Sequence, residues 1–257
     1  MLVVGASSGI GRAAATSAVK RGARVVFAAR RVDALREAVE VAGADAVAIG
    51  ADVSRPEECQ RLVSETAGHF GGIDLMLYAT GVAPLRRMLD TEPDDWRQVF
   101  ETNVMGACNV IRAALPLLQP SAMVGVLSSD SVPAPRPGLV AYAASKSALE
   151  TMVLGWRAEH PRIRFGIYTV GPTVPTDFGR TFDMTLLGEM FADWMRLGMM
   201  QEGHMDAVEV GEVLADMLAA AWPHPSVGLE HLVLRPPFPI VTSLVAAQSA
   251  AAQNNIG

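Results

Sequence analysis

Short β-branched apolar runs alternate along the chain with longer stretches of helical periodicity. Leu2-Val3-Val4 is a strand stub. Residues 12–21 are Ala-rich and predict a helix, with Gly22 as its left-handed stop. Strands are predicted over 24–28 and 46–49, around a helix over 32–41. Ser54-Arg55-Pro56-Glu57 has the form of a capping box, with Ser54 as N-cap and proline in the first turn of a helix running to 69. A fourth strand is predicted over 74–78, then two helices over 94–104 and 107–118, and a fifth strand over 123–127. A long helix over 142–159 and a sixth strand over 164–170 follow. Asp206 is placed to cap a late helix to 221, before a short last strand over 232–234. Strands alternating with helices of ten or more residues imply right-handed crossovers and a parallel sheet covered on both faces. The pattern predicts one α/β domain with a doubly wound parallel sheet over 1–240 and a C-terminal tail over 241–257. A first strand that starts at Met1 is short for a central one. It suggests a natural start a few residues upstream, which mass spectrometry of the native protein would test.

Composition narrows the class. Half of the 257 residues are hydrophobic, 19% are charged and the formal net charge is −6. Such a chain is too apolar for a disordered one, and its acidic balance argues against non-specific nucleic-acid binding. Without an apolar run long enough to span a bilayer, no membrane helix is expected. Cys59 and Cys108 are isolated thiols, and the five histidines show no paired spacing. These features predict a cytoplasmic protein with neither a disulfide framework nor a metal site. Of 21 basic residues, only Lys20 and Lys146 are lysine. Codon bias accounts for that scarcity, but not for why position 146 escaped it.

Three clusters carry candidate chemistry. Gly5-Ala6-Ser7-Ser8-Gly9-Ile10-Gly11 lies where the first strand meets the first helix. Glycines there permit a tight turn and close approach of backbone N–H groups to a pyrophosphate, at the positive end of the helix dipole. The second strand ends in Ala29-Arg30-Arg31, where an NAD-binding chain would place a carboxylate for the ribose hydroxyls. A guanidinium matches a 2′-phosphate, so these residues favour NADP(H) and leave NAD(H) open. Tyr142 and Lys146 are spaced i, i+4, on one helix face. An ammonium beside a phenol lowers its pKa and equips it for proton exchange. Ser129 ends a strand, where ligand crevices of open sheets form.

With these residues assembled, the chain resembles the short-chain dehydrogenase/reductases over nearly its whole length. Gly5-x-x-x-Gly9-Ile10-Gly11, Asp52-Val53, Asn103-Val104-x-Gly106, Ser129 and Tyr142-x-x-x-Lys146 carry the resemblance in order and spacing. It implies a Rossmann fold of seven parallel strands and NAD(P)-linked interconversion of a carbonyl and an alcohol. Tyr142 would be the proton donor or acceptor, and Lys146 would lower its pKa and hold the nicotinamide ribose. Ser129 would bind the substrate oxygen, and Asn103 would hold a water connecting Lys146 to solvent. Ser7, Ser8 and the glycines Gly5, Gly9 and Gly11 would line the pyrophosphate with Ile10. Asp52 and Val53 would contact the adenine, with Ala79 and Gly81 beside the adenosine. Pro172, Val174 and Thr176 would border the nicotinamide. The chain departs from the pattern at Val4, at Tyr78-Ala79-Thr80-Gly81, and at Gly171-Pro172, where the usual order is inverted.

The segment 177–205 corresponds to the family's variable substrate region. It holds six methionines, Met184 to Met205, with Phe178, Phe182, Phe191 and Trp194. These suit either an adaptable apolar substrate surface or plain packing of two lid helices. Pro133, Pro135 and Pro137 stiffen the loop before Tyr142, and are candidates for the opposite pocket wall. Ala148, Leu149, Met152, Val153 and Trp156 form a stripe that suits a homodimer or homotetramer interface or packing on the sheet. The reading is an NADP(H)-dependent oxidoreductase for an apolar ketone or secondary alcohol. Its rivals are a catalytically silent NAD(P)-binding regulator or scaffold of the same fold, and an epimerase or dehydratase, whose chains are usually longer.

Overall fold

The computed structural model describes residues 1–241. The expected tail over 242–257 lies outside the described residues. The strands are β1 (Leu2–Val4), β2 (Val25–Ala29), β3 (Ala46–Gly50), β4 (Ile73–Tyr78), β5 (Leu118–Ser129), β6 (Arg164–Val170), β7 (Thr173–Val174), β8 (Met200–Gln201), β9 (Met205–Asp206), β10 (His231–Leu234) and β11 (Ile240–Val241). The α-helices are α1 (Gly9–Lys20), α2 (Val32–Ala42), α3 (Pro56–Phe70), α4 (Pro93–Phe100), α5 (Gly106–Ala114), α6 (Val140–Glu159), α7 (Met184–Arg196) and α8 (Ala207–Ala221).

Seven of the strands form one sheet in the order β10-β6-β5-β4-β1-β2-β3, and its pairings are all parallel. Sequence order reverses between β1 and β4, the point at which open α/β sheets bind ligands. Apolar residues face both ways along each strand, as a sheet buried on two sides requires. Leu2, Val4, Val26, Ala28, Met76 and Tyr78 pack with Cys59 and Leu62 of α3, Val110 and Ile111 of α5, and Leu149 and Val153 of α6. Their neighbours Val3, Val25, Phe27, Leu75 and Leu77 pack with Ala14 and Ala15 of α1, Leu35 of α2, and Val210 and Leu214 of α8.

Several local expectations are corrected. α3 starts at Pro56 with Arg55 as N-cap. Ser54 turns away instead, and its hydroxyl donates to Asp52 Oδ1 at 2.8 Å. Asp206 does cap α8, accepting from the Val208 and Glu209 amides. The break predicted between helices near 105 is a π-helical turn, Glu101–Met105, that runs directly from α4 into α5. The lid contains one α-helix, α7, rather than two. β7 pairs with β9, and β11 pairs with β8, so Val241 continues the fold across the boundary expected at 240. The α6 stripe packs inward: Leu149 and Val153 are fully buried, and Met152 and Trp156 lie against the same core.

Candidate active site

A cavity of about 950 Å³ runs over the C-terminal ends of the strands, from the β1–α1 turn to the lid. It brings together Gly5, Ser7, Ser8, Gly9, Ile10, Gly11, Arg30, Arg31, Asp52, Val53, Ala79, Gly81, Ser129, Tyr142, Lys146, Pro172, Val174 and Thr176. Asn103 lies just behind this wall, fully buried in the π-helical turn.

The phosphate-binding turn owes its shape to two glycines. Gly9 has φ +54°, and a Cβ there would lie 3.2 Å from Thr176 Cγ2, so the turn abuts the loop after β6. A Cβ on Gly11 would lie 2.4 Å from the Gly5 carbonyl oxygen. Ser8 is the α1 N-cap but makes no side-chain capping bond. The first-turn amides therefore remain available to an anion. Arg31 donates to the Ser7 and Ser8 hydroxyls at 3.0 and 2.9 Å, and pairs with Asp177. Asp52 accepts from the Ser54 amide at 3.0 Å. Burial pushes its carboxyl upward, but Ser54, Arg30 and Arg55 outweigh this and hold it below the ordinary carboxylate value.

At the other end, β5 delivers Ser129 and α6 delivers Tyr142 and Lys146. Ser129 Oγ accepts from the Ser131 amide at 3.1 Å and lines the same cavity as the Tyr142 phenol. Burial pushes Tyr142 up to about 12, with Asp130 adding to the rise and Ser129 and Arg136 opposing it. Burial brings Lys146 down to about 8, opposed by Glu150. Lys146 Nζ donates to the Leu127 carbonyl at 2.8 Å and reaches that of Thr80 at 3.5 Å. It sits 5.8 Å from the Tyr142 ring centroid.

Asn103 Oδ1 accepts from the Val82 amide at 2.8 Å, and its Nδ2 donates to Ser145 Oγ at 2.9 Å. A Cβ on Gly81 would lie 3.4 Å from Lys146 Nζ and 3.9 Å from Asn103 Oδ1, which places the two side chains around one small residue. The departure at Tyr78 has a structural use: its buried phenol donates to the Thr102 carbonyl at 2.6 Å and ties β4 to the π-helical turn. The inverted Gly171-Pro172 is held from both sides. The Gly171 amide donates to Leu234 O and the Met205 amide to Pro172 O, both at 2.9 Å.

Sequence reasoning missed Asp130, Arg136 and Asp177. Arg136 donates from both terminal nitrogens to Asp130, at 2.9 and 2.8 Å, and from Nε to the Met199 carbonyl at 3.3 Å. This buried pair lies in the loop before Tyr142. Arg136 and Leu139 line the cavity there, where the prolines were expected. The lid methionines divide. Met199 and Met200 line the cavity. Met190 packs with Trp194, Leu85 and Leu139, and Met184 is exposed. Phe178 meets the Tyr142 ring edge-on at 4.9 Å between centroids. None of the three missed charged residues belongs to a local motif, so no signal in the sequence pointed to them.

The family model described as short chain dehydrogenase matches residues 1–184. Among curated relatives, 11-beta-hydroxysteroid dehydrogenase A of Sesamum indicum is 35% identical over 178 residues, covering 66% of this chain and 51% of the relative. Glycine betaine reductase ATRR of Emericella nidulans is 33% identical over 163 residues, 62% of this chain and 13% of the relative. The chain thus spans about half or less of the length of these curated relatives. Among solved structures, an alcohol dehydrogenase from Thermococcus sibiricus complexed with 5-hydroxy-NADP covers 94% of this chain and 96% of its own, with a TM-score of 0.77 and 23% identity. The KRED1-Pglu enzyme covers 90% of this chain and 98% of its own, with a TM-score of 0.74 and 27% identity. The chain belongs to the short-chain dehydrogenase family.

Proposed function

We propose that the protein is an NADP(H)-dependent oxidoreductase that interconverts a ketone and a secondary alcohol on an apolar small molecule. The observation that carries this reading is the convergence of Ser129, Tyr142 and Lys146 on one wall of the cavity whose far end is the phosphate-binding turn. The residues fit a dinucleotide: uncapped helix amides face one end, and Arg30, Arg31, Ser7 and Ser8 offer a donor set for a 2′-phosphate. When bound, the cofactor supplies or accepts the hydride. Asp52 and Val53 would border the adenine, and Val174 and Thr176 the nicotinamide.

Ser129 orients the substrate oxygen toward the Tyr142 phenol. With its pKa pushed up to about 12, the phenol is protonated at neutral pH and can donate to the oxygen of a ketone as its carbon is reduced. The resting state therefore suits reduction. Oxidation needs the phenolate, which the Lys146 ammonium on the same helix face would stabilise. Asn103 and Gly81 keep room beside that ammonium. Phe178, Phe182, Phe191, Trp194, Met199 and Met200 give the substrate end an apolar lining, which suits a bulky apolar alcohol such as the hydroxysteroid named in several relatives. A homodimer or homotetramer and a cytoplasmic location belong to the same reading; sedimentation equilibrium tests the first. Among the described residues, no helix is long and apolar enough to cross a membrane.

A carbonyl and alcohol panel followed at the NADPH absorbance, and repeated with NADH, tests the reaction. Tyr142→Phe is expected to lose about 10²-fold or more in turnover while keeping NADPH binding. Undiminished turnover in that variant would refute the mechanism. Tight NADPH binding with no turnover across the panel would favour a silent regulator instead.

A further inference from the structure

Arg31 has a partner at the phosphate-binding turn. Its NH2 group lies 2.5 Å from Asp177 Oδ2, with the two side chains 40% and 41% exposed. The same nitrogen reaches the Ser7 and Ser8 hydroxyls at 3.0 and 2.9 Å, and against the upward push of burial Arg31, Ser8 and Arg180 hold the Asp177 carboxyl below its ordinary value. The carboxylate is therefore held by one guanidinium nitrogen, beside the Ser7 and Ser8 hydroxyls at the start of α1. A phosphate monoester on a ribose would use the same kind of donors. Arg30 is differently placed: it is one of the charges that hold Asp52 below its ordinary value, and it has no hydrogen bond to Asp177.

Asp177 comes from outside the nucleotide half of the fold. It follows Thr176, which packs over Gly9, and it precedes Phe178, which rests on Tyr142. It is thus an anion that the chain itself carries into an anion site. Resting on the NADP(H) reading above, we propose that Asp177 is a cofactor-selectivity residue: a tethered carboxylate that occupies Arg31 and Ser8 in the free enzyme and competes with the 2′-phosphate for them. A nucleotide bearing that phosphate must displace the carboxylate. A nucleotide with a bare 2′-hydroxyl leaves it in place. The net preference for the phosphorylated cofactor is then smaller than the Arg31 contact alone would give, because part of that contact is already made.

The test uses the full chain and two fragments of the cofactor, 2′,5′-ADP and 5′-AMP, titrated by calorimetry. The proteins are the parent, Asp177→Asn, Arg31→Ala and the double variant. Asp177→Asn should tighten 2′,5′-ADP by about two- to fivefold, the size of a half-exposed ion pair, and leave 5′-AMP unchanged. In the Arg31→Ala background the same substitution should no longer tighten 2′,5′-ADP, as expected when two residues act through one contact. Unchanged or weaker 2′,5′-ADP binding in Asp177→Asn, or equal tightening of both fragments, overturns the proposal. Weaker binding would mean that Asp177 buttresses Arg31 rather than competing for it. The NADP(H) reading is judged separately on the parent protein. Equal affinity for NADPH and NADH sinks that reading, whereas selective tightening by Asp177→Asn would still stand for the Asp177 inference.

Discussion

At the nucleotide end of the cavity, charge is handled at a half-exposed surface. Arg31 shares its guanidinium among Ser7, Ser8 and Asp177, all partners that a ligand can replace. At the catalytic end, charge is handled under cover. Lys146 is 3% exposed and holds the Leu127 carbonyl, and burial moves both it and Tyr142 away from their ordinary values. Solvent screening keeps the first set of contacts weak and exchangeable. Low dielectric makes the second set costly to assemble and sensitive to the shape of each member. One sheet can support both because β1 and β2 end at the rim, whereas β5 and α6 enclose their polar residues between the sheet and the lid.

The sharpest way to break this contrast is Lys146→Arg, which keeps the charge and changes its shape. The wider guanidinium does not fit the place of a compact ammonium beside Gly81 and the Leu127 carbonyl. Turnover should fall by about 10²-fold or more, measured at saturating NADPH; near-parental turnover would show that charge alone suffices. On the nucleotide side, Gly11→Ala places a methyl 2.4 Å from the Gly5 carbonyl oxygen. About 1–3 kcal/mol of stability should be lost, together with cofactor affinity, as read by urea denaturation and NADPH titration.

Lys146→Met isolates the cost of the buried ammonium. Its pKa falls from 10.5 to about 8 on folding, so the charge opposes folding at neutral pH. The inactive variant should be more stable by about 1–3 kcal/mol at pH 7. Below about 8 both folded and unfolded states hold the proton and the full cost applies. Between 8 and 10.5 the unfolded state binds more protons, so the parent gains stability as pH rises. The advantage of the variant should therefore shrink across that window, and a constant difference in chemical denaturation would contradict it. The smallest effect is expected at Asp206→Ala, which removes the α8 cap on the face shared with α1. A loss of about 1 kcal/mol follows, visible as a small drop in Tm without loss of turnover.

Much of this was legible in the residues themselves. The order of strands and helices was, because apolar runs of period two and of helical period differ over a few residues. So was the placement of Tyr142 and Lys146 on one face of α6, because a helix puts i and i+4 one turn apart. In a chain with only two lysines, the one at 146 proved to be the buried one, while Lys20 sits exposed in the last turn of α1, where a cation suits the helix dipole. Ser54 was misread because its hydroxyl had two partners within reach, a carboxylate to donate to and helix amides to accept from. The local pattern could not tell that Asp52, fixed at the end of β3, would win over the α3 amides. The π-helical turn at Asn103 was equally hidden, since it depends on Tyr78 arriving from β4.

The sequence alone determined the doubly wound class, the glycine turn, the arginines that follow β2 and the helix that carries Tyr142 and Lys146. These are decided by interactions within about a dozen residues: hydrophobic period, backbone permissiveness and helical spacing. Only the tertiary structure decided which way each charge was answered. Asp177 meets Arg31, and Lys146 reaches the Leu127 carbonyl on β5, because those partners come from different elements of the fold. Burial, the quantity that sets the pKa of Tyr142 and Lys146, likewise belongs to the assembled fold and not to any segment of it.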